Sequence, residues 1–544
     1  VARWRNRRAR TVAALLTGSA LLATTVLPVG AAGAAGPRRA TDAELAEWVV
    51  DLDANALREL LATGEVTSVQ LVKAYQARID AYEEAYADQP GVNAVIVEDP
   101  RAVATAARLD NERRRGQVRG PLHGIPILIK DNYDTFDLPT SNGSLALERW
   151  HTADDAEQVA RLRAAGAIIV AKTNLHEYAS GITTISSLGG QTRNPYDQTR
   201  NPGGSSGGTG AGIAAGFGAV GMGSDTCGSI RIPAAHNSLV GLRPTHGLSS
   251  RDGIAPMSYT QDVGGPIAKS VTDIALVLDA TVGYDPDDPS TAASVGRVPS
   301  SYLPSLDDDA LSGARIGVLT DYLGTSAAEQ PTTALIRAAV DDMAAQGADV
   351  VELPTQAALL SAVGASGVIN DEFERDLNRY LAAPGSTFPR WLAVLEPPFD
   401  AVTMDDIITS GKVTPTVLSS LRSRQGVSTG PQEAYHQRLE RRAEAQTLLR
   451  ALLEANDLDA LVYPTIRQQA AVIGQSQPGS NCSLSANTGF PALTVPAGFT
   501  PDGMPVGVEL LGLPFSEPTL LGLGYDYEQA THHRTPPAST PPLR

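Results

Sequence analysis

The reactive groups of this chain are concentrated between residues 203 and 233, GGSSGGTGAGIAAGFGAVGMGSDTCGSIRIP, where Ser205, Ser206, Cys227 and Ser229 lie among glycines. One more, Lys130, follows the apolar run 125–129. Glycine at this density lets main chain approach main chain or a ligand, and allows dihedrals that a side chain forbids. N–H groups turned inward in succession by such residues form an anion-stabilising pocket. A nucleophile beside such a pocket attacks carbonyl carbon, so the stretch reads as a hydrolase active site.

Several uses of these residues compete. Gly203-Gly-Ser-Ser-Gly207 satisfies G-x-S-x-G, which would make Ser205 the nucleophile of a strand–turn–helix elbow. That motif needs a strand directly before the serine, whereas Asn194-Pro-Tyr-Asp-Gln-Thr-Arg-Asn-Pro202 is turn-rich, so the elbow is rejected. A phosphate-binding loop would continue into G-K-[ST], which is missing. Cys227 as a thiolate nucleophile stays open, although oxidation outside the cell would threaten it. A lysine at a strand end is ordinarily solvated. The residues around Lys130 are too apolar for that reading to fit well.

The elements that must hold these groups alternate between helix and apolar strand, the pattern of α/β layers. Residues 45–61 read as one helix, and Thr67-Ser-Val-Gln70 as the capping box of the next. Residues 93–97 form a short strand, 103–115 a helix, 125–129 the buried strand that delivers Lys130, 155–165 a helix and 167–171 a strand. Leu239-Val-Gly-Leu-Arg-Pro-Thr245 and Gln261-Asp-Val-Gly-Gly-Pro266 read as turns packed near the site. Residues 271–282 are helical, 285–309 a surface excursion rich in Pro, Asp and Ser, and 316–353 a β-α-β unit. Residues 359–455 are mostly helical and least legible, and the Pro-rich tail 532–544 reads as disordered.

A chain of 544 residues and net charge −17 can bury a large core, and its acidity argues against binding nucleic acid through phosphates. Arg3, Arg5, Arg7, Arg8 and Arg10, the apolar segment 12–29 and the small-residue patch 30–35 match a secretory signal peptide. Residues 1–34 are therefore expected to be removed on export, leaving a secreted protein without a membrane span. The cysteines, Cys227 and Cys482, fit no zinc pattern. In an exported protein they are either bridged or buried thiols, and sequence alone leaves both open. No histidine has motif support.

Five blocks in order carry a family resemblance. They are Gly124-Ile-Pro-Ile-Leu-Ile-Lys130-Asp, Ala171-Lys-Thr-Asn174, Asn201-Pro-Gly-Gly-Ser-Ser-Gly-Gly208, Gly223-Ser-Asp-Thr-Cys-Gly-Ser-Ile-Arg-Ile-Pro-Ala234 and Gly241-Leu-Arg-Pro-Thr245. Gly489-Phe-Pro-Ala492 and Gly503-Met-Pro-Val-Gly-Val508 match too. The chain resembles the amidase signature family, closest in appearance to its bacterial peptide amidases. The resemblance implies an α/β fold with a large mixed central sheet, helices on both faces and a single catalytic domain over 71–531, with 35–70 a helical region packed on it. It implies a Ser–cis-Ser–Lys triad: Ser229 the nucleophile, Ser205 the cis-serine and Lys130 the base, with Ser206 one place out of register. The expected activity is hydrolysis of a linear carboxamide, a small molecule or C-terminal amide, through an acyl-enzyme, with no cofactor or metal. The alternatives are a catalytically silent binding protein or an amidotransferase A-type subunit.

Physical chemistry agrees with that triad. Lys130 serves as a base only when neutral, and complete burial lowers a lysine pKa by up to about 3–5 units. The N–H groups of Thr226, Cys227, Gly228 and Ser229 would hold the oxyanion, with Asp225 and Arg231 orienting the loop. Family members usually show glycine where Cys227 stands. A side chain there narrows the pocket or, bonded to Cys482, braces the loop.

Overall fold

The computed structural model describes residues 38–387, 402–427, 429–430 and 433–543. The expected signal segment 1–34 lies outside the described residues. Thirteen strands are numbered among the described residues. The first five are β1 Val95–Glu98, β2 Pro126–Lys130, β3 Ile168–Thr173, β4 Ile185–Ser186 and β5 Gly190–Gln191. Next come β6 Val220–Asp225, β7 Val240–Arg243, β8 Val263–Ala268, β9 Arg315–Leu319 and β10 Asp349–Leu353. The last are β11 Ala460–Pro464, β12 Ala492–Phe499 and β13 Pro505–Leu511. All but the β4–β5 hairpin join one mixed sheet of 11 strands, ordered β1-β3-β2-β6-β8-β7-β12-β13-β11-β9-β10.

Burial on both faces follows from the period-2 geometry of strands. In β2, Ile127 and Ile129 point into one hydrophobic cluster and Leu128 into another. In β11, Ala460 and Val462 point into the first cluster while Leu461 and Tyr463 face a third. Apolar residues on both faces must be covered, which is why these strands read as continuous hydrophobic runs. Helices Gln330–Ala345 and Glu517–Thr531 cover the second half of the sheet, and Gly207–Ala214 packs on β2 and β6.

Several elements differ from the sequence expectation. The helix expected at 45–61 is two helices, Asp42–Asp51 and Ala54–Thr63, because Asp53 stops the first and caps the second through Ala56 N–H at 2.8 Å. The capping box at Thr67 is formed, opening the helix Ser68–Tyr82. The stretches expected as turns at 239–245 and 261–266 overlap β7 and β8, which lie in mid-sheet. Glycine and proline lower strand propensity, but here they serve close packing. A Cβ on Gly265 would stand 2.5 Å from the Leu242 carbonyl oxygen. β8 pairs with β7 through Ile267 and Ala268, and Pro266 lies just beyond those paired positions.

The 285–309 segment is anchored rather than a free excursion. Asp288 accepts from Arg251 Nε at 2.8 Å and Nη2 at 2.5 Å, and Asp285, Thr291 and Ser294 are buried. The tail expected to be disordered is also packed. Arg78 Nη1 donates to the Pro541 carbonyl at 2.9 Å, Arg78 Nη2 to Thr540 O at 2.6 Å, Tyr82 OH to Pro541 O at 2.7 Å and Tyr86 OH to Ser539 O at 2.8 Å. Composition pointed to disorder, but proline-rich backbone keeps its carbonyls, and a helix face carrying Arg and Tyr supplies the donors. The β-α-β unit is present as β9, the helix Gln330–Ala345 and β10, with its strands parallel. No described helix is long and apolar enough to cross a membrane.

Candidate active site

β2 and β6 are parallel neighbours, so they end at the same edge of the sheet. Ligand sites in open α/β sheets lie at such carboxyl ends. β2 ends on Lys130 and β6 on Ser224 and Asp225. The helix Gly207–Ala214 starts directly after Ser205 and Ser206 and lies close against both strands. A Cβ on Gly221 would stand 2.4 Å from Thr209 Cγ2, and one on Gly208 would stand 2.2 Å from the Asn174 carbonyl oxygen. The small-residue run is therefore a helix pressed onto its sheet, which draws the paired serines over the end of β2.

Lys130 is fully buried, and its Nζ lies 2.8 Å from Ser205 Oγ, 2.8 Å from Ser224 Oγ and 3.4 Å from Ser224 O. Asn132 Nδ2 donates to Ser224 Oγ at 3.0 Å. The Gly204–Ser205 peptide bond is cis, and Ser205 O accepts from His176 N–H at 2.9 Å. Burial pulls the Lys130 amine down to about 7, with the charges of Asp225 and Asp262 pushing the other way. Among the described residues no carboxylate lies within ion-pair distance of Lys130. The neighbouring buried lysine, Lys172 on β3, has Asp131 at 3.3 Å. Burial lowers Lys172 as well, with Asp131 opposing.

The loop after β6 returns to this point. Ser206 N–H donates to Ser229 O at 3.2 Å, setting the Ser229 residue beside the serine pair. Asp225 organises the turn: Gly228 N–H reaches Oδ1 at 2.7 Å and Ile230 N–H reaches Oδ2 at 3.2 Å. Arg231 Nε lies 3.1 Å from Asp225 Oδ2 and Arg243 Nη1 lies 3.0 Å from Oδ1. Burial alone would raise the Asp225 carboxyl, but the two guanidinium groups hold it well below the usual carboxylate range. Arg231 Nη1 also reaches Glu509 Oε1 at 2.5 Å, and Glu509 accepts from Tyr463 OH at 2.8 Å. These charges are fully buried, and removing one partner from such a pair costs about 3–5 kcal/mol.

Thr226 is fixed by Oγ1 donating to Asp262 Oδ1 at 2.5 Å and by its carbonyl accepting from Gln261 Nε2 at 3.3 Å. Burial raises Asp262 to about 6, with Thr226 and the Ser258 N–H opposing. Cys227 is bonded to Cys482, their Cα atoms 5.0 Å apart, so Cys227 is not a free thiol. That removes the thiolate scheme.

The family model described as Amidase matches residues 70–521. The chain belongs to the amidase family. It is 36% identical over 510 residues to the A-type subunit of a glutamyl-tRNA(Gln) amidotransferase from Chloroflexus aggregans, covering 89% of this chain and 98% of that one. Its structure is similar to the native peptide amidase from Stenotrophomonas maltophilia, with TM-score 0.78 and 39% identity, over 90% of this chain and 98% of that one. An amidase family protein from Bacillus anthracis gives TM-score 0.76 and 30% identity, over 90% and 92% of the two chains. The protein is thus a hydrolase of amide bonds, built on the amidase signature fold.

Within this amidase, one expected oxyanion donor needs correction. Gly228 N–H is spent on Asp225 Oδ1 at 2.7 Å, which leaves Thr226, Cys227 and Ser229 as the candidates of that loop. Ser206 does not face the lysine. Its Oγ donates to Ser224 O at 3.2 Å and accepts from Ser224 N–H at 3.3 Å, stitching the helix start to β6. Sequence reasoning missed Ser224, Asn132, Arg243 and Glu509. Ser224 and Arg243 stand inside quoted motifs, and the parallel pairing of β2 with β6 brings Ser224 to the same strand ends as Lys130. Glu509 carries no local signal.

Proposed function

We propose that this amidase is an exported enzyme that hydrolyses linear carboxamides, C-terminal peptide amides among them, through an acyl-enzyme on Ser229. The observation that carries the reading is the buried Lys130 amine, 2.8 Å from Ser205 Oγ and without an ion-pair partner among the described residues. A neutral amine has two N–H groups and one lone pair. Ser224 Oγ and Ser224 O accept the two N–H groups, and the lone pair is left for the Ser205 hydroxyl. Ser205 passes its proton to Lys130 and takes the proton of Ser229, whose Oγ forms the new bond to the carbonyl carbon.

The oxyanion is held by main-chain N–H groups of the 226–229 loop, each worth about 10²–10³ in turnover. Collapse of the tetrahedral intermediate breaks the C–N bond, and the leaving amine takes a proton from Ser205, resupplied by Lys130. Water then repeats the sequence against the ester and frees Ser229. Export is supported by the reading of residues 1–34 and by the Cys227–Cys482 bond, since disulfides persist in oxidising compartments.

A second reading, an amidotransferase A-type subunit, is favoured by the 36% identity to such a protein. Initial rates with peptide amides, aryl anilides, fatty amides and free glutamine separate the two. Peptide or other linear amides are expected to be turned over fastest. Turnover restricted to glutamine would favour the amidotransferase reading. A protein inert to all substrates and to a fluorophosphonate would be a silent binder.

A further inference from the structure

The Cys227–Cys482 bond ties two regions 255 residues apart at the catalytic loop itself. Cys227 stands between Thr226 and Gly228, two places before Ser229. The other end is firmly set. Next to Cys482, Asn481 Nδ2 donates to Pro464 O at 2.8 Å and Tyr322 O at 3.0 Å, and its Oδ1 accepts from Arg467 at 2.9 Å. The Cys482 carbonyl accepts from Arg231 Nη2 at 3.2 Å, and Cys482 leads into the helix Ser483–Thr488. On the loop side the hydrogen bonds described above belong to Asp225, Thr226, Gly228 and Ser229, which flank Cys227. Gly228 turns with φ +85°, and a Cβ there would stand 2.9 Å from Cys482 Cβ, so the loop rests against this cysteine. Both cysteines are half-buried rather than sealed in the core.

We propose that Cys227 and Cys482 are positioning residues of the catalytic loop: their bond holds the N–H groups around Cys227 in register with Ser229, and breaking it lowers turnover while the nucleophile stays in place. The inference rests on the reading of Ser229 as nucleophile. A dithiol reductant supplies two electrons and two protons, the S–S bond becomes two thiols, and the reductant closes to its own disulfide. The loop then keeps the hydrogen bonds of Asp225, Thr226, Gly228 and Ser229 but loses its covalent tie at Cys227, and misplacing one oxyanion donor costs about 10²–10³ in turnover.

The test uses the purified oxidised protein and the same protein treated with dithiothreitol, its thiols counted by mass. kcat and KM on a peptide amide are measured with fluorophosphonate labelling of Ser229 and far-UV circular dichroism at the assay temperature. Reduction is expected to lower kcat at least about tenfold with KM within about twofold, the split that marks an interaction made in the transition state. Reoxidation with oxidised glutathione restores kcat. The Cys227→Ser/Cys482→Ser double variant is slow from the start and indifferent to dithiothreitol. A labelled, active enzyme whose kcat ignores the bond overturns this inference alone, as does a loss of kcat that only accompanies loss of the dichroism signal. An oxidised protein that neither labels at Ser229 nor turns over overturns the parent reading and this inference with it.

Discussion

Lys130→Met is expected to lower kcat/KM by about 10⁴-fold, the upper range for losing a positioned acid–base group, with the fold retained. Methionine keeps the unbranched shape of the stem at a fully buried position and carries no lone pair of comparable basicity. No buried charge is orphaned, because no described carboxylate pairs with the amine and burial already favours its neutral form. Lys130→Arg is expected to be just as inactive, since a guanidinium does not give up its proton. The contrast with Lys172 sharpens the point. Removing that lysine leaves Asp131 without its 3.3 Å partner and withdraws donors from Tyr133 O and Pro139 O, so its cost appears as stability rather than turnover. Steady-state kinetics beside a urea unfolding curve for each variant separates the two roles. Measurable turnover by Lys130→Met at neutral pH would remove the base from the mechanism.

The other large effect belongs to Ser229→Ala, expected to lose about 10⁶-fold in kcat, as for other serine nucleophiles that act in a unit. Fluorophosphonate labelling should vanish with it. Ser206→Ala offers the control. Its hydroxyl serves the backbone of Ser224, so that variant should keep its label and most of its turnover, with a modest loss of stability of about 1 kcal/mol. Intact-mass analysis after labelling decides between them, and label retained in Ser229→Ala would move the nucleophile elsewhere.

Sequence reading went furthest where chemistry is written into short motifs. The roles of Lys130, Ser205 and Ser229 came from the family resemblance, while Lys130 and the serines of 203–233 stood out because their glycine or apolar neighbours have a physical reason to be there. The middle of the sheet was opaque for that same reason. β6, β7 and β8 are VGMGSD, VGLR and VGGPIA, and their glycines admit neighbouring backbone and helix at distances no side chain allows, so the usual strand signature is missing. Long-range charge partners were beyond reach. Glu509 meets Arg231 across 278 residues, and nothing local to either predicts the other.

The 359–455 region was least legible because its helices bury their apolar faces against distant segments. Phe373, Leu377, Met404 and Leu421 share a cluster with Trp150, Tyr178 and Met257. That packing joins this region to segments distant in sequence, and differences in amide preference are expected to arise there.

The pH dependence of kcat/KM for a peptide amide reports on the protonation of Lys130 itself. In the proposed mechanism this lysine acts as the free amine, so activity is expected to be lost as pH falls through its folded value. The rate is expected to rise about tenfold per pH unit up to about 7 and then level off. Asp262, pushed up to about 6, already carries its charge on that plateau. A profile flat from pH 5.5 to 9, or one still climbing toward the ordinary lysine value of 10.5, would contradict a buried neutral lysine as the base.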